Sequence, residues 1–398
     1  MASSGPLIAV GQPRAYTAAM DKPLNTLDSI EDAVAAIAAG ELVVVVDDTD
    51  RENEGDLIMA ASMASPEKLA FMIRHTSGII CVPMPGERAS ALNLEPMVAN
   101  NIDPFRTAFT VSVDYRIGMT TGIAATERAS TIRALAGGNA LASDFIRPGH
   151  IFPLIARTGG VLERSGHTEA GVDLARLAGL EPAGVLAEVV NDDGTVKRLP
   201  ELLAFAREHG LKIISIEDLI AYRLQHESVL KRVAVVPTLV GGLNAEAYVY
   251  ETPFDPMQPI ALVFGEVQDR ERVPVRIHRE RPLLDLIATA NGDATLLDKA
   301  LAEIRRGGRC GVIIVLRSAE ALDGPGDGKQ VPQRLDQQGG ERHGTALERM
   351  QRWRKVGVGA QILRDLGVRS IAVMTSSERQ YVGLGGYGIE IAETILLK

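Results

Sequence analysis

The sequence is poor in cysteine and has no long apolar run. Its 398 residues include two cysteines, Cys81 and Cys310. They are too far apart in the sequence for a disulfide framework or a CxxC metal motif, so we expect a reducing compartment, the cytoplasm. No apolar run approaches the roughly 18 residues needed to span a bilayer, so we predict no contact with the membrane.

An excess of basic charge is also absent. The formal net charge is −9, which argues against a nucleic-acid partner because duplex binding relies on lysine and arginine to neutralise phosphates. A local basic pocket for a phosphorylated metabolite remains compatible with this charge. Residues 1–24 lack both the basic stretch and the apolar core of a signal peptide, so we predict a flexible N-terminal tail there.

The chain is too long for one ordinary hydrophobic core, so we expect two domains. Helix and strand patterns mix throughout and predict an α/β (α+β) fold: an N-terminal domain with a mixed sheet and a smaller α+β domain after it. The polar segment HESVLKRV at 226–233 separates the halves. We therefore place the first domain at 25–226 and the second at 233–398.

Local patterns give a few element boundaries. A helix is predicted from Asp28 to Ala39, with Asp28 as its N-cap, and another from Leu199 to His209, ended by Gly210. The segment 318–345 is rich in Gly, Gln, Asp and Pro, which predicts a long loop. Its GPGDGK run lacks the GxxxxGK[ST] spacing of a phosphate-binding loop.

Charge is concentrated directly after an apolar strand. The run LVVVV at 42–46 is followed by DDTDRENEGD at 47–56. In an extended loop, the alternating Glu52, Glu54 and Asp56 would put three carboxylates on one side, which suits Mg²⁺ or Mn²⁺. A solvated turn and a pocket for a charged substrate are the alternatives, and the local spacing alone leaves all three open.

Further charged groups occur downstream. Arg164, His167 and Thr168 lie in RTGGVLERSGHTE at 157–169. Arginine and threonine are good phosphate partners, and histidine can bind a metal or carry a proton. His150 follows a Pro-Gly pair, and Glu188 lies in an apolar strand pattern, where an unpaired carboxylate is costly. Each of these residues alone also has an ordinary structural interpretation.

Taken in order, these segments resemble one family. Seven motifs occur along residues 25–225: DDTDRENEGDLIMAA, RHTSGIICVP, TAFTVSVD, TTGIAATERASTIRAL, RPGHIFPL, GGVLERSGHTEAGVDLARLAG and PAGVLAEVVNDDGT. They resemble 3,4-dihydroxy-2-butanone 4-phosphate synthase, an enzyme of riboflavin biosynthesis. The resemblance implies a lyase that converts D-ribulose 5-phosphate into the butanone phosphate and formate, works as a homodimer with sites at the subunit interface, and uses Mg²⁺ or Mn²⁺, two ions per site.

The resemblance also assigns roles to residues. It implies that Glu52 and His167 are metal ligands and that His150 and Glu188 are catalytic. The implied substrate-binding residues are Arg51, Glu52, Asp56, Arg164, Ser165, Gly166, His167, Thr168 and Glu188. Cys81 and Thr110 match pocket-lining positions. The sequence departs from the family pattern at Thr49, where an acidic residue is usual, and at Ile102, where threonine is common.

The second half is similar in outline to GTP cyclohydrolase II. VGAQILRDLGVRSIAVMTSS and YVGLGGYGIEI resemble the end of that enzyme. The segment that should supply its zinc cysteines holds Arg281-Pro282 and the run from Ala290 to Asp293, and no cysteine lies between 82 and 309. A zinc site made of three thiolates therefore cannot form. LRSAEALDGPG stands where the family has a charged substrate-binding loop.

These departures predict no zinc and no GTP hydrolysis, and a structural or regulatory role for the second half. Two other functions stay open. One is a bifunctional enzyme that also hydrolyses GTP. The other is a non-catalytic scaffold, against which the intact residue set of the first half argues.

Overall fold

The computed structural model describes residues 26–48, 51–253, 258–280, 294–316, 356–376 and 388–397. Several predictions lie outside these ranges. They are the tail at 1–24, the departure at Thr49, the loop at 318–345 and the positions matched to the zinc cysteines.

The first half is built on a seven-stranded mixed sheet. Its order is β4-β5-β3-β6-β2-β1-β7, with parallel pairs β1–β7 and β3–β5 and antiparallel pairs elsewhere. The strands are β1 Val43–Val46, β2 Gly55–Ala60, β3 Cys81–Pro85, β4 Val113–Tyr115, β5 Phe145–Ala156, β6 Gly184–Glu188 and β7 Lys212–Ser215.

Helices cover both faces of this sheet. They are α1 Ile30–Ala38, α2 Pro66–His75, α3 Gly86–Ala91, α4 Ala125–Ala136, α5 His167–Leu177, α6 Leu199–His209 and α7 Ile216–His226. Helices α1, α5 and α7 pack on the face that carries Val43 and Val45, whereas α2, α4 and α6 pack on the face of Val44 and Val46. Because β1 is buried on both faces, its sequence is a continuous apolar run rather than an alternating one.

The second half forms another seven-stranded mixed sheet, in the order β14-β13-β11-β12-β10-β9-β8. Its strands are β8 Lys231–Val240, β9 Leu243–Glu251, β10 Ile260–Phe264, β11 Val273–Arg279, β12 Gly311–Leu316, β13 Ser370–Thr375 and β14 Glu390–Leu396. Two helices accompany them, α8 Leu296–Arg306 and α9 at 356–365. The predicted α/β class and the mixed sheet of the first half are confirmed, and the sheet of the second half is mixed as well.

The sequence placed most boundaries well and one cap wrongly. Helix α6 ends at Gly210, whose φ of +66° suits glycine. The N-cap of α1 is Ser29, whose Oγ accepts from the Asp32 N–H at 3.1 Å, and not Asp28. The Asp28 carboxylate instead accepts from the Ile213 N–H at 3.0 Å, which ties the start of α1 to β7.

The junction between the halves is short. Helix α7 ends at His226 and β8 begins at Lys231, two residues before the predicted start of the second domain at 233. One cluster of buried apolar side chains extends through both halves, from Ile214 and Leu224 to Val229, Tyr250 and Val358. The halves therefore share a packed boundary.

Candidate active site

The charged segment after β1 folds into a turn over the end of the sheet. The buried Asp47 carboxylate organises it: Oδ2 accepts from the Glu52 N–H at 3.0 Å and Oδ1 from the Glu54 N–H at 2.9 Å. Arg51 donates to Asp47 at 3.0 Å and to Glu52 at 2.6 Å. The guanidinium of Arg51 lies 4.9 Å from the ring centre of Phe105, an arrangement that favours a cation.

His167, the first residue of α5, faces this turn. Its Nε2 lies 3.0 Å from the Val45 carbonyl oxygen. Because Nε2 donates this bond, Nδ1 is the ring nitrogen that faces the carboxylates, and it can bind a metal ion once its proton is lost. Nδ1 lies 3.7 Å from Glu52 Oε2 and 3.8 Å from Asp56 Oδ1. Within the described residues, Asp47, Glu52 and His167 form a group whose ligand atoms all lie within 4.8 Å of one another.

The charged groups of this cluster shift one another's pKa values strongly. Burial alone would lower the pKa of His167, but the carboxylates of Asp56, Glu52 and Asp47 raise it to about 9. Burial raises the pKa of Asp56 to about 8. For Glu52 burial acts in the same direction, but the hydrogen bond to His167 and the charge of Arg51 lower its pKa to about 2. The pocket therefore favours added positive charge.

One oxygen in the pocket has no partner of its own. Asp56 is 2% exposed, and its Oδ1 makes no hydrogen bond although it lies 3.8 Å from His167 Nδ1. A buried carboxylate oxygen left in this state is costly unless a cation or a ligand satisfies it. The donor set of carboxylates and one imidazole suits a hard divalent ion.

The expected alternation of carboxylates was wrong in part. Residues 51 and 52 form a turn, and Asn53 has a φ of +56°, so the two-residue period of an extended chain does not hold there. Asp47, which the sequence analysis did not single out as a ligand, occupies the place expected for Glu54. Glu54 stays nearby: burial, then the charges of Glu52 and Glu188, raises its pKa.

Strand pairing brings Glu188 to the same row of the sheet. Val45 pairs with Asp56, and Asp56 pairs with Glu188. The Glu188 carboxylate accepts from Ser77 Oγ at 2.6 Å. Cys81 lies beside this row, where burial and the charges of Glu188 and Asp56 raise the pKa of its thiol far above its usual range. A thiol that stays neutral is a poor nucleophile.

The loop before α5 presents Arg164. Its Nη1 lies 2.6 Å from Glu169 Oε2, its Nη2 donates to Thr107 Oγ1 at 3.1 Å and its Nε donates to the Phe105 carbonyl at 3.0 Å. Gly166 caps α5, and a Cβ there would lie 2.3 Å from Arg164 Nη1. The arginine therefore folds back over the N-terminus of the helix, next to half-buried Ser165 and buried Thr168.

His150 is held separately. Its Nδ1 lies 2.7 Å from Asp114 Oδ2, and its backbone N–H donates to Asp114 Oδ1 at 3.0 Å. Cys81 of β3 pairs with Phe152 of β5 and with Leu186 of β6. His150 and Glu188 therefore share one row across the sheet, two strands apart, which is a separation of about 10 Å. The His150 side chain is 43% exposed. Within this chain, the structure does not bring His150 to Glu52 and His167.

The predicted pocket position Thr110 and the departure from the family pattern at Ile102 lie in contrasting surroundings. The Thr110 hydroxyl is buried and donates to the Pro153 carbonyl at 3.0 Å, so its hydrogen-bonding capacity serves the fold. Ile102 is 85% exposed. Asp114 was missed as a functional residue because it is one aspartate within the TVSVD motif, 36 positions before His150.

The fold and this site define a class of enzyme. Residues 31–222 match the family model of 3,4-dihydroxy-2-butanone 4-phosphate synthase, and residues 230–396 match that of GTP cyclohydrolase II. The chain belongs to the 3,4-dihydroxy-2-butanone 4-phosphate synthase family of riboflavin biosynthesis, in the form that carries a cyclohydrolase II-type second half.

Several relatives match along nearly the whole of this chain. The riboflavin biosynthesis protein RibBA of Nocardia farcinica is 48% identical over 94% of this chain and 91% of its own length. Two chloroplastic proteins of Arabidopsis thaliana are 46% and 45% identical over 95% of this chain. Monofunctional RIBA 2 is covered over 79% of its length and bifunctional RIBA 1 over 70%.

A solved structure shares the whole architecture. RibBX of A. baumannii, a two-domain 3,4-dihydroxy-2-butanone 4-phosphate synthase, superposes with a TM-score of 0.75 at 37% identity, over 93% of this chain and 99% of its own. In the part of our chain that the structure describes, no helix has the length and apolar content needed to cross a bilayer.

Proposed function

We propose that the chain converts D-ribulose 5-phosphate into 3,4-dihydroxy-2-butanone 4-phosphate and formate with the help of Mg²⁺ or Mn²⁺. The observation that carries this proposal is the group of Asp47, Glu52 and His167, with the unpartnered Asp56 oxygen beside it. Its carboxylates raise the pKa of His167, and they would stabilise a divalent cation for the same electrostatic reason.

The metal would be held by Glu52 and His167, with Asp47 as a further ligand, and we propose two ions per site. When bound, such an ion acts as a Lewis acid that stabilises negative charge developing on the substrate oxygens. The hydrogen bond between His167 Nε2 and the Val45 carbonyl keeps Nδ1 directed at the site. Arg51 and Asp56 lie close enough to orient the substrate hydroxyls around it.

The substrate phosphate would lie at the start of α5. Helix N-termini carry free N–H groups and a partial positive charge. Ser165, Gly166 and Thr168 surround this end of the helix, and Arg164 folds over it. The first half thus offers a phosphate site next to a carboxylate-rich pocket, which matches a sugar phosphate.

The proton transfers are assigned to Glu188 and His150. The Glu188 carboxylate can accept a proton next to the substrate carbonyl, and Ser77 orients it.

We propose a homodimer in which His150 approaches the carboxylate cluster of the partner subunit, because it lies too far from the cluster of its own chain. Exposed apolar side chains near this edge support a covered surface: Ile79, Ile102, Ile117, Ile123 and Leu141. A monomeric mass in sedimentation experiments would contradict the homodimer.

We propose no GTP hydrolysis by the second half, the predicted domain 233–398. It contains a single cysteine, Cys310, which is buried and donates to the Glu266 carbonyl at 3.1 Å. One thiolate cannot form a three-cysteine zinc site. One Arabidopsis relative is called monofunctional and another bifunctional, so this kind of chain occurs with either outcome. The bifunctional alternative is supported by the match at 230–396.

A paired assay on one purified sample tests these proposals. Ribulose 5-phosphate with Mg²⁺ should release formate, and GTP with added Zn²⁺ should release none. The zinc content should be well below one ion per chain. Absence of formate from the sugar would overturn the proposed function. Formate from GTP would mean that other ligands hold a metal in the second half.

We also propose a cytoplasmic location for this chain, in contrast to the two plant relatives, which are chloroplastic.

Asp114 is expected to act as a positioning residue for His150. It is 3% exposed and contacts both the ring and the backbone of His150. Asp114→Asn should lower kcat about tenfold and leave KM within about twofold, because the amide no longer fixes the orientation and tautomer of the ring. Steady-state formate release measures both constants.

The matched control for this variant is Asp144→Asn. Asp144 also accepts a backbone N–H, from Leu141 at 2.8 Å, but it only caps a surface turn. Its substitution should leave kcat unchanged. An Asp114→Asn enzyme with wild-type kcat would show that Asp114 does not position His150 for proton transfer.

A further inference from the structure

A residue of the second half forms hydrogen bonds with the C-terminal end of α7 in the first half. A helix leaves its last carbonyl oxygens without intrahelical partners. Gln361 of α9 provides the missing donor: its Nε2 donates to the Leu224 carbonyl at 2.7 Å and to the Glu227 carbonyl, just after the helix, at 2.8 Å. Its Oε1 accepts from the Val229 N–H at 3.0 Å. Gln361 is 7% exposed, so one buried amide from the second half fixes both the helix end and the linker.

The same turn of α7 carries a buried ion-pair network. Arg223 is 6% exposed. Its Nε and Nη2 donate to the two Glu227 carboxylate oxygens at 2.7 and 2.6 Å. Its Nη1 donates to Asp173 Oδ2 at 2.7 Å and to the Gly159 carbonyl at 3.0 Å. A bidentate arginine–carboxylate pair fixes the relative orientation of its two side chains. The position of the Arg223 guanidinium therefore depends on the position of Glu227.

The loop at 157–166 rests on this network. The Val161 N–H donates to Asp173 Oδ2 at 2.8 Å. Gly160 has a φ of +61°, and a Cβ there would lie 2.3 Å from either Asp173 carboxylate oxygen. The Gly160 carbonyl accepts from the Arg164 N–H at 3.0 Å. The loop therefore packs directly on the ion pair of Arg223 and Asp173, and the position of Arg164 depends on the position of this loop.

We propose that the second half positions Arg164 of the synthase site through this chain of contacts. The path runs from Gln361 to Glu227, then to Arg223 and Asp173, and ends in the loop at 157–166. The proposal rests on the proposed role of Arg164 in phosphate binding. It gives the cyclohydrolase-like half a function that needs neither zinc nor GTP.

Two variants of the full-length chain test this proposal. Gln361→Leu removes the three hydrogen bonds and keeps a similar volume. Glu227→Gln breaks the ion pair with Arg223 at a partly exposed position, so it tests the same path with less risk to folding. Each should raise KM for ribulose 5-phosphate about three- to tenfold and leave kcat within about twofold. Hydrogen exchange of the amides at 159–164 should become faster in both.

Asp365→Asn is the matched control. Asp365 accepts from Arg232 Nε at 3.0 Å and from the Tyr250 hydroxyl at 2.7 Å, and both partners lie in the second sheet, on β8 and β9. This variant should weaken the second half without changing KM or exchange at 159–164. An equal rise of KM in Asp365→Asn would overturn the proposal, because any loosening of the second half would then have the same effect.

The other outcomes are equally decisive. Unchanged KM and unchanged exchange in Gln361→Leu and Glu227→Gln would overturn the proposal. If the wild-type enzyme releases no formate from the sugar, the proposed function fails. The exchange measurement still decides whether Gln361 and Glu227 hold the 157–166 loop, because it needs no activity.

Discussion

Replacing His167 by glutamine is expected to reduce formate release from ribulose 5-phosphate by about a thousandfold or more. Glutamine can still donate to the Val45 carbonyl, the bond that His167 Nε2 makes at 3.0 Å. It offers only a weak amide ligand where the imidazole Nδ1 lies 3.7 Å from Glu52 and 3.8 Å from Asp56. Calorimetric titration with Mg²⁺ should show the same loss of binding.

Folding has to be measured alongside activity, because His167 is 6% exposed and adjoins buried carboxylates. Removing its positive charge leaves Asp56 with less compensation, which favours the protonated carboxyl. Glu52→Ala should also abolish turnover, since it removes a proposed ligand at a partly exposed position. Wild-type turnover in either folded variant would remove that residue from the metal site.

His209→Gln is the matched control for the histidine change. His209 packs in an aromatic group on α2 and α6, with ring centres 5.0 Å from Phe71 and 4.5 Å from Phe205. Its replacement should alter stability slightly and leave formate release and Mg²⁺ binding unchanged. A large loss of activity there would show that the His167 result reports stability rather than ligation.

Much of the first half follows from residue patterns. The apolar run of β1 and the period of α6 with its terminal Gly210 reflect local backbone preferences and burial. The gathering of Arg51, Glu52, Asp56 and His167 also agrees with the expectation, because a charged turn at the end of a buried strand meets the start of α5 there. Their catalytic and binding roles stay predictions.

What the sequence could not supply were positions set by folding across long separations. The place of Asp47 in the cluster depends on a turn at 51–52 that breaks the alternation of an extended chain. Asp114 is set beside His150 by the pairing of β4 with β5. Gln361 bonds backbone atoms of residues 224, 227 and 229, the last of them 132 positions away. Because every residue except proline has the same backbone donor and acceptor, the residue types of the two segments do not reveal these hydrogen bonds.

The second large effect is expected for Arg164→Lys, which should raise KM for ribulose 5-phosphate about 10- to 100-fold. A guanidinium has five N–H donors. Three bonds, to Glu169, Thr107 and the Phe105 carbonyl, hold it in place, so two N–H groups remain for a phosphate. A lysine ammonium is a point charge and cannot keep these three bonds while also reaching an anion.

KM should change more than kcat, because the phosphate is remote from the reacting carbons and its contacts act equally in the ground and transition states. Lysine keeps a cation beside Glu169, whose side chain is 1% exposed, so the fold should survive. Arg88→Lys is the matched control: its Nε also donates to a backbone carbonyl, that of Leu135, at 2.9 Å, and its replacement should leave KM unchanged. A wild-type KM in Arg164→Lys would assign the phosphate to the helix N-terminus alone, and positioning Arg164 through Gln361 would then have no effect on substrate binding.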